Sequence, residues 1–135
     1  MFEDRRIRVS LDLPSTIPAV AIDRAQMEQV FFNLMKNALE AMKDGGELAI
    51  EIVHDDTSVS IVFRDSGAGM SNEALARLFE PYRTTKKKGT GLGLMISRRI
   101  VAAHGGEIAV SSEAGKGTTF TVKLPRLEKR VRELT

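Results

Sequence analysis

The apolar residues of this chain switch between two periods, and the order of those periods limits the folds open to it. "RIRVSLDLP" (6–14) sets Ile7, Val9, Leu11 and Leu13 against Arg6, Arg8, Ser10 and Asp12, a period of two that predicts a strand with one buried face. The period then lengthens. Met27, Val30, Phe31, Leu34, Met35, Ala38, Leu39 and Met42 recur as one side of a helix. Asp23 is placed as its N-cap, with Gln26 three residues on as in a capping box, and Asp44-Gly45-Gly46 ends it. "ELAIEIVHD" (47–55) and "SVSIVFRD" (58–65) alternate again, and the short link Asp56-Thr57 predicts a hairpin.

A short helix is expected over 71–79 with Ser71 as its cap, then a loop over 80–91 rich in lysine, threonine and glycine. "GLMISRRIVAAH" (93–104) reads as a helix stopped by Gly105-Gly106. "EIAVSSE" (107–113) and "TTFTVKLP" (118–125) form a second hairpin around a Gly-Lys-Gly turn. This order predicts an α/β (α+β) two-layer sandwich: a mixed, mostly antiparallel five-stranded sheet covered on one face by three helices. A length of 135 residues suits one core, so residues 1–125 are expected to form a single domain and 126–135 a charged tail.

Composition removes several function classes. A net charge of +2, aromatics at only 5% and no Trp argue against a nucleic-acid partner. The absence of cysteine excludes disulfides and thiolate metal sites. No apolar run reaches the ~20 residues of a membrane span, and "MFEDRRIRVS" is not a signal peptide. The expectation is a cytoplasmic protein without direct membrane insertion, or the cytoplasmic part of a membrane-bound one.

Three features carry candidate chemistry. Asn33 and Asn37 are four apart and so share one helix face, with Gln29 and Glu40 extending the line. Such a line is either a solvent-facing stripe or a ligand surface. Asn is a poor helix former, and carboxamide oxygens suit a hard cation such as Mg²⁺. Asp65 ends a strand and opens Asp-Ser-Gly-Ala-Gly. That is either an ordinary Asx turn, or an acceptor for an exocyclic amine with Gly67 and Gly69 letting a flat ring approach. Gly89-Thr90-Gly91-Leu92-Gly93 runs into a helix, where backbone N–H groups favour phosphate, with Lys86, Lys87 and Lys88 just upstream. It fits neither the dinucleotide nor the P-loop fingerprint.

The combination is more specific than its parts. "QVFFNLMKNALEAM", "DSGAGM", "LFEPYRTTKKK" and "KGTGLGL" resemble, in order, the N, G1, F and G2 boxes of sensor histidine kinase catalytic domains in the GHKL superfamily, and "HGGEIAVSSEAGKGTTFTVKLP" resembles the closing segment. The likeness covers about residues 6–125, and the F and G2 boxes are most similar in style to nitrogen-regulation and oxygen-sensing kinases. It implies a Bergerat fold that binds ATP and Mg²⁺. Asn37 matches the metal-holding Asn, and Asn33 the neighbour on the phosphate side. Asp65 matches the acceptor of the adenine amino group, completed by Thr118. Gly67 and Gly69 match the base-lining positions. Lys86, Gly89, Thr90, Gly91, Leu92 and Gly93 match the phosphate side. Residues 80–91 match a mobile lid anchored by Phe79.

Two departures matter. ATPase branches of the superfamily carry Glu at the position of Asn33, and an amide cannot serve as that base. The position three after Asn37, basic in related kinases, is Glu40, so Arg83 and Lys86, with Lys87, are the candidate cations for the γ-phosphate.

The implied activity is transfer of the ATP γ-phosphate to a histidine on a separate dimerisation domain of the same kinase, and indirectly to a response regulator. The alternatives are a GHKL-type ATPase or anti-sigma-like serine kinase, or a non-catalytic module gated by nucleotide. His54 and His104 read as a surface residue and a packing or capping residue, so neither is expected to be the acceptor. The isolated domain is expected to be monomeric and not to autophosphorylate.

Overall fold

The computed structural model describes residues 6–80 and 92–128. Along the chain come β1 (Ile7–Asp12), α1 (Arg24–Ala41), β2 (Gly46–His54), β3 (Ser58–Asp65), α2 (Asn72–Ala76), α3 (Gly93–Ala103), β4 (Glu107–Glu113) and β5 (Gly117–Pro125). The five strands form one sheet in the order β1-β2-β3-β5-β4. Only β1 and β2 run parallel; the other neighbours are antiparallel. This is the mixed, mostly antiparallel sheet expected from the two hairpins.

The core lies between one face of the sheet and two helices. Met27, Val30 and Leu34 of α1 and Val101 of α3 meet Ile61 and Phe63 of β3 and Phe120, Val122 and Leu124 of β5. These strand residues alternate, as one face of a sheet must. Full burial of each large apolar side chain stabilises by ~1.5–3 kcal/mol. Leu78, just past α2, packs against the same core.

Local chemistry sets the ends of the elements. The Asp23 carboxylate accepts from the Gln26 N–H at 2.9 Å, the cap anticipated from the sequence. Ser71 accepts from Ala74 N–H at 3.1 Å to start α2, which is shorter than the expected 71–79. His104 ends α3 and ties it to the start of α1. Its Nδ1 lies 2.7 Å from the Ile100 carbonyl, and its Nε2 accepts from the Asp23 N–H at 2.9 Å. Nδ1 is therefore the donor and Nε2 the acceptor. In the first hairpin, the Asp55 carboxylate accepts the Thr57 and Ser58 N–H groups, both at 2.8 Å. Those donors hold its carboxyl at about 2, below its ordinary 3.8.

The chain leaves the sheet against the domain. Arg126 N–H donates to the Thr57 carbonyl at 2.9 Å and Leu127 N–H to the Ala19 carbonyl at 2.8 Å. The first residues of the expected tail are thus hydrogen-bonded to the sandwich.

β1 departs from expectation. Of its alternating apolar residues only Ile7 is buried, beside Ala38, Leu39 and Met42 of α1 and Leu48 of β2. Val9, Leu11 and Leu13 are 43%, 65% and 50% exposed. β1 is an edge strand, and these α1 contacts reach only its first residue, so the rest of its apolar face is open. Leu34→Ala should cost about 2–5 kcal/mol. Leu11→Ser should stay within about 0.5 kcal/mol. Urea unfolding of both variants checks the contrast, and equal losses would mean that the β1 face is covered.

Candidate functional site

Asp65 is the last residue of β3 and pairs laterally with Leu48 on one side and Thr118 on the other. It is 6% exposed. Its Oδ1 accepts the Gly67 N–H at 2.8 Å and the Thr118 N–H at 3.2 Å. Burial pushes the carboxyl up from its ordinary 3.8, and the two N–H donors only partly pull it back. Both bonds fall on Oδ1, which leaves Oδ2 as the acceptor for a ligand.

Thr118 stands beside it, equally buried, with its hydroxyl 2.8 Å from Ser112 Oγ. Ser112 also donates to the Gly117 carbonyl at 3.1 Å and accepts the Met70 N–H at 2.8 Å. A serine has one hydrogen to give. With that hydrogen on Gly117, Thr118 is the donor to Ser112, and the Thr118 oxygen keeps its acceptor capacity beside Asp65.

The glycines after Asp65 answer to the chain's own backbone. A Cβ on Gly67 would lie 2.6 Å from the Ala41 carbonyl oxygen at the end of α1. Gly69 has φ 71°, and a Cβ there would meet the Glu113 carbonyl oxygen at 2.0 Å. Ala68 between them donates to Ala41 and accepts from Gly115 N–H at 2.7 Å. The turn is thereby fixed between the end of α1 and the β4–β5 hairpin before any ligand arrives. The close approach foreseen for a flat ring is made first by protein backbone.

The polar line on α1 is not a solvated stripe throughout. Asn33, Asn37 and Glu40 are half-buried, while Gln29 is exposed. Asn33 faces α3: its Nδ2 donates to the Gly93 carbonyl at 3.2 Å and to Ser97 Oγ at 3.0 Å. A carbonyl can only accept, so the nitrogen end must face Gly93. Asn37 lies one turn further along α1, toward the end that Gly67 touches. α3 begins after Leu92, whose side chain makes no capping bond. The Arg98 guanidinium of α3 lies 5.0 Å from the Phe79 ring centre, which fastens the segment entering residues 81–91.

The structure therefore brings Asp65, Gly67, Gly69 and Thr118 into one cluster and joins Asn33 to Gly93. Arg83, Lys86, Gly89, Thr90 and Gly91 lie outside the described residues. The donor set fits a hard cation, because Asn33 has its nitrogen engaged and its oxygen uncommitted to α3. Among the described residues no group of three or more His, Asp or Glu side chains forms a metal site. Two participants were not singled out from the sequence. Ser112 gave no signal beyond a polar strand position. Ser97 stands one turn before Val101 on the buried side of α3, which was a signal.

The architecture is that of histidine kinase catalytic domains. The chain superposes on the catalytic domain of histidine kinase ThkA with a TM-score of 0.82 and 32% identity, over 93% of this chain and 84% of that one. Full-length ShkA, solved in complex with AMPPNP, matches with a TM-score of 0.81 and 28% identity, over 93% of this chain and 27% of that one. Residues 22–128 match the family described as histidine kinase-, DNA gyrase B-, and HSP90-like ATPase, and the chain belongs to that family. It is an ATP-binding catalytic domain of the sensor histidine kinase kind.

Among curated relatives, sporulation kinase E of Bacillus subtilis (strain 168) is 48% identical over 120 residues, covering 88% of this chain and 16% of that protein. Sensor histidine kinase ZraS of Escherichia coli (strain K12) is 40% identical over 121 residues, covering 90% of this chain and 26% of that protein. The chain thus spans about a sixth to a quarter of these relatives. Among the described residues, no helix is long and apolar enough to cross a membrane.

The raised carboxyl of Asp65 makes a signed prediction. A carboxyl raised in the folded state holds its proton more tightly there than in the unfolded chain, so its charged form opposes folding at neutral pH. The stability of the unaltered chain relative to Asp65→Asn should rise as pH falls through the raised value toward 3.8. Urea unfolding of both from ~pH 7 downward checks this; an unaltered chain that loses stability relative to Asp65→Asn as acid is added would contradict the shift.

Proposed function

We propose that the chain is the catalytic domain of a two-component sensor kinase that positions ATP for transfer of its γ-phosphate to a histidine on a separate dimerisation domain. From that histidine the phosphoryl group would pass to a response regulator. The observation that carries the reading is Asp65: a nearly buried carboxylate with Oδ1 engaged and Oδ2 open, at the position that takes the adenine amino group in the family. Support also comes from ShkA, a structural relative solved with AMPPNP.

In this reading Asp65 Oδ2 accepts one adenine amino N–H, and the Thr118 hydroxyl, its hydrogen given to Ser112, completes the adenine hydrogen bonds as an acceptor. Gly67 and Gly69 hold the turn beneath the base. Asn37 supplies a carboxamide oxygen to Mg²⁺, and Asn33 stands beside it on the phosphate side. Magnesium, when bound, offsets charge on the phosphate oxygens. Leu92 and Gly93 bring the start of α3 to the phosphates. Lys86, Gly89, Thr90 and Gly91 belong to the lid, and Arg83 and Lys86 are the cations for the γ-phosphate. Residues 1–125 act as one domain and 126–135 as its tail. The isolated domain is monomeric and does not autophosphorylate.

The test supplies Mg²⁺-ATP and a dimerisation domain to the purified chain. Acid-labile phosphate on the histidine of that domain is expected. Rapid release of free phosphate would favour an ATPase, and tight binding without transfer a nucleotide-gated module. Asp65→Asn should weaken ATP and ADP alike, because it acts at the base. Asn37→Ala should reduce only the Mg²⁺-dependent part of ATP binding. Calorimetry separates the two, and unchanged affinity in either variant removes that residue from the site.

A further inference from the structure

We propose that Ser97 is a positioning residue of the nucleotide site: its buried hydroxyl and the Gly93 carbonyl hold the Asn33 carboxamide in one orientation. The inference rests on the reading in which the carboxamides of α1 face the bound nucleotide.

Ser97 is 0% exposed on the side of α3 that faces α1. A hydroxyl buried so completely opposes folding unless it is paired. Asn33 Nδ2 supplies the partner at 3.0 Å and reaches the Gly93 carbonyl at 3.2 Å. A carboxamide nitrogen carries two hydrogens, so these contacts use both. The Gly93 carbonyl selects the nitrogen end of the amide, and Ser97 fixes the plane in which it lies.

The consequence is chemical. With Nδ2 consumed by α3, Asn33 offers a ligand only Oδ1, which accepts and cannot donate. It can meet a hard cation or a water of that cation's hydration shell, both of which present positive charge or hydrogen. It cannot bond a phosphate oxygen, because two acceptors would oppose each other. Gly93 and Ser97 are one turn apart at the start of α3, so the hold on Asn33 also registers where that turn sits against α1.

Titration of the chain with ATP over a range of Mg²⁺ concentrations, and with ADP in EDTA, tests the role. Ser97→Ala should weaken the Mg²⁺-dependent binding of ATP by about tenfold, as for other groups that orient a metal-binding side chain. It should leave metal-free ADP binding unchanged. In an Asn33→Ala background, adding Ser97→Ala should cause no further loss, because the serine acts through the asparagine.

Hydrogen exchange of the Asn33 side-chain amide in ¹⁵N spectra provides a second readout that needs no ligand. Both protons should exchange slowly in the unaltered chain, and Ser97→Ala should release one. A Ser97→Ala chain with unchanged Mg²⁺-ATP binding would overturn the proposal. So would an equal loss in the Asn33→Ala background, or an Asn33 amide that exchanges like an exposed one. Failure of the unaltered chain to take up Mg²⁺-ATP would instead bring down the reading of the site itself.

Discussion

The packing of α1 on the sheet governs everything else at the site. Met27, Val30, Leu34 and Ala38 are buried along one side of that helix. With its rotation fixed by those contacts, the adjoining side can carry asparagines at Asn33 and Asn37 despite their poor helix propensity. The same contacts place the end of α1 against the Asp65 turn, where Ala68 N–H bonds the Ala41 carbonyl at 3.3 Å. One apolar surface therefore sets the distance between the carboxamides and the carboxylate. Two caps hold the helix from its other end, the Asp23 side chain and the His104 ring, and the second of these belongs to α3.

The Asp65 side of the site is largely built before a ligand binds. Around Asp65 nearly every polar group already has a protein partner: Oδ1 with two N–H groups, Ser112 with three neighbours, and Ala68 with bonds on both its N–H and its carbonyl. Such an arrangement loses little freedom on binding, which favours affinity for a base that presents one donor and a flat face. On the other side, α3 starts without a side-chain cap, and Asn33 ties α1 to it through Gly93 and Ser97. On the proposed reading, the prebuilt turn around Asp65 anchors the base and the start of α3 meets the phosphates.

Much of the fold was legible because it follows from period and punctuation. The alternation in residues 47–65 and 107–125 gave both hairpins, and Asp23 and Ser71 gave two helix starts. Period could not say that β1 would lie at an edge. Val9 and Leu11 alternate as a buried strand does, and only the position of α1 leaves them exposed. The site was legible in residue type but not in cause. Gly67 and Gly69 were marked as places of close approach, yet what approaches is Ala41 and Glu113, residues 26 and 44 positions away along the chain. The position of Ser97 on the buried side of α3 could be read from the sequence, but not its partner, because Asn33 lies 64 positions away. Contacts between elements are set by packing, and no local window contains them.

The contact between Asn33 and α3 also bears on which chemistry the site supports. ATPase members of the superfamily are expected to carry a glutamate where this chain has Asn33, as the base that activates water. A carboxylate in the place of this amide would set an acceptor against the Gly93 carbonyl, which Nδ2 now approaches at 3.2 Å. Two unprotonated oxygens at that separation repel, and the half-buried setting strengthens the repulsion. The present register of α3 on α1 thus accommodates an amide and resists a base. On the kinase reading this is functionally coherent. A domain that must hold ATP until a histidine arrives gains from an amide, not a carboxylate, at Asn33, because an amide cannot act as a base toward water. A neutral imidazole brings its own nucleophilic nitrogen and asks the domain mainly for position and charge compensation.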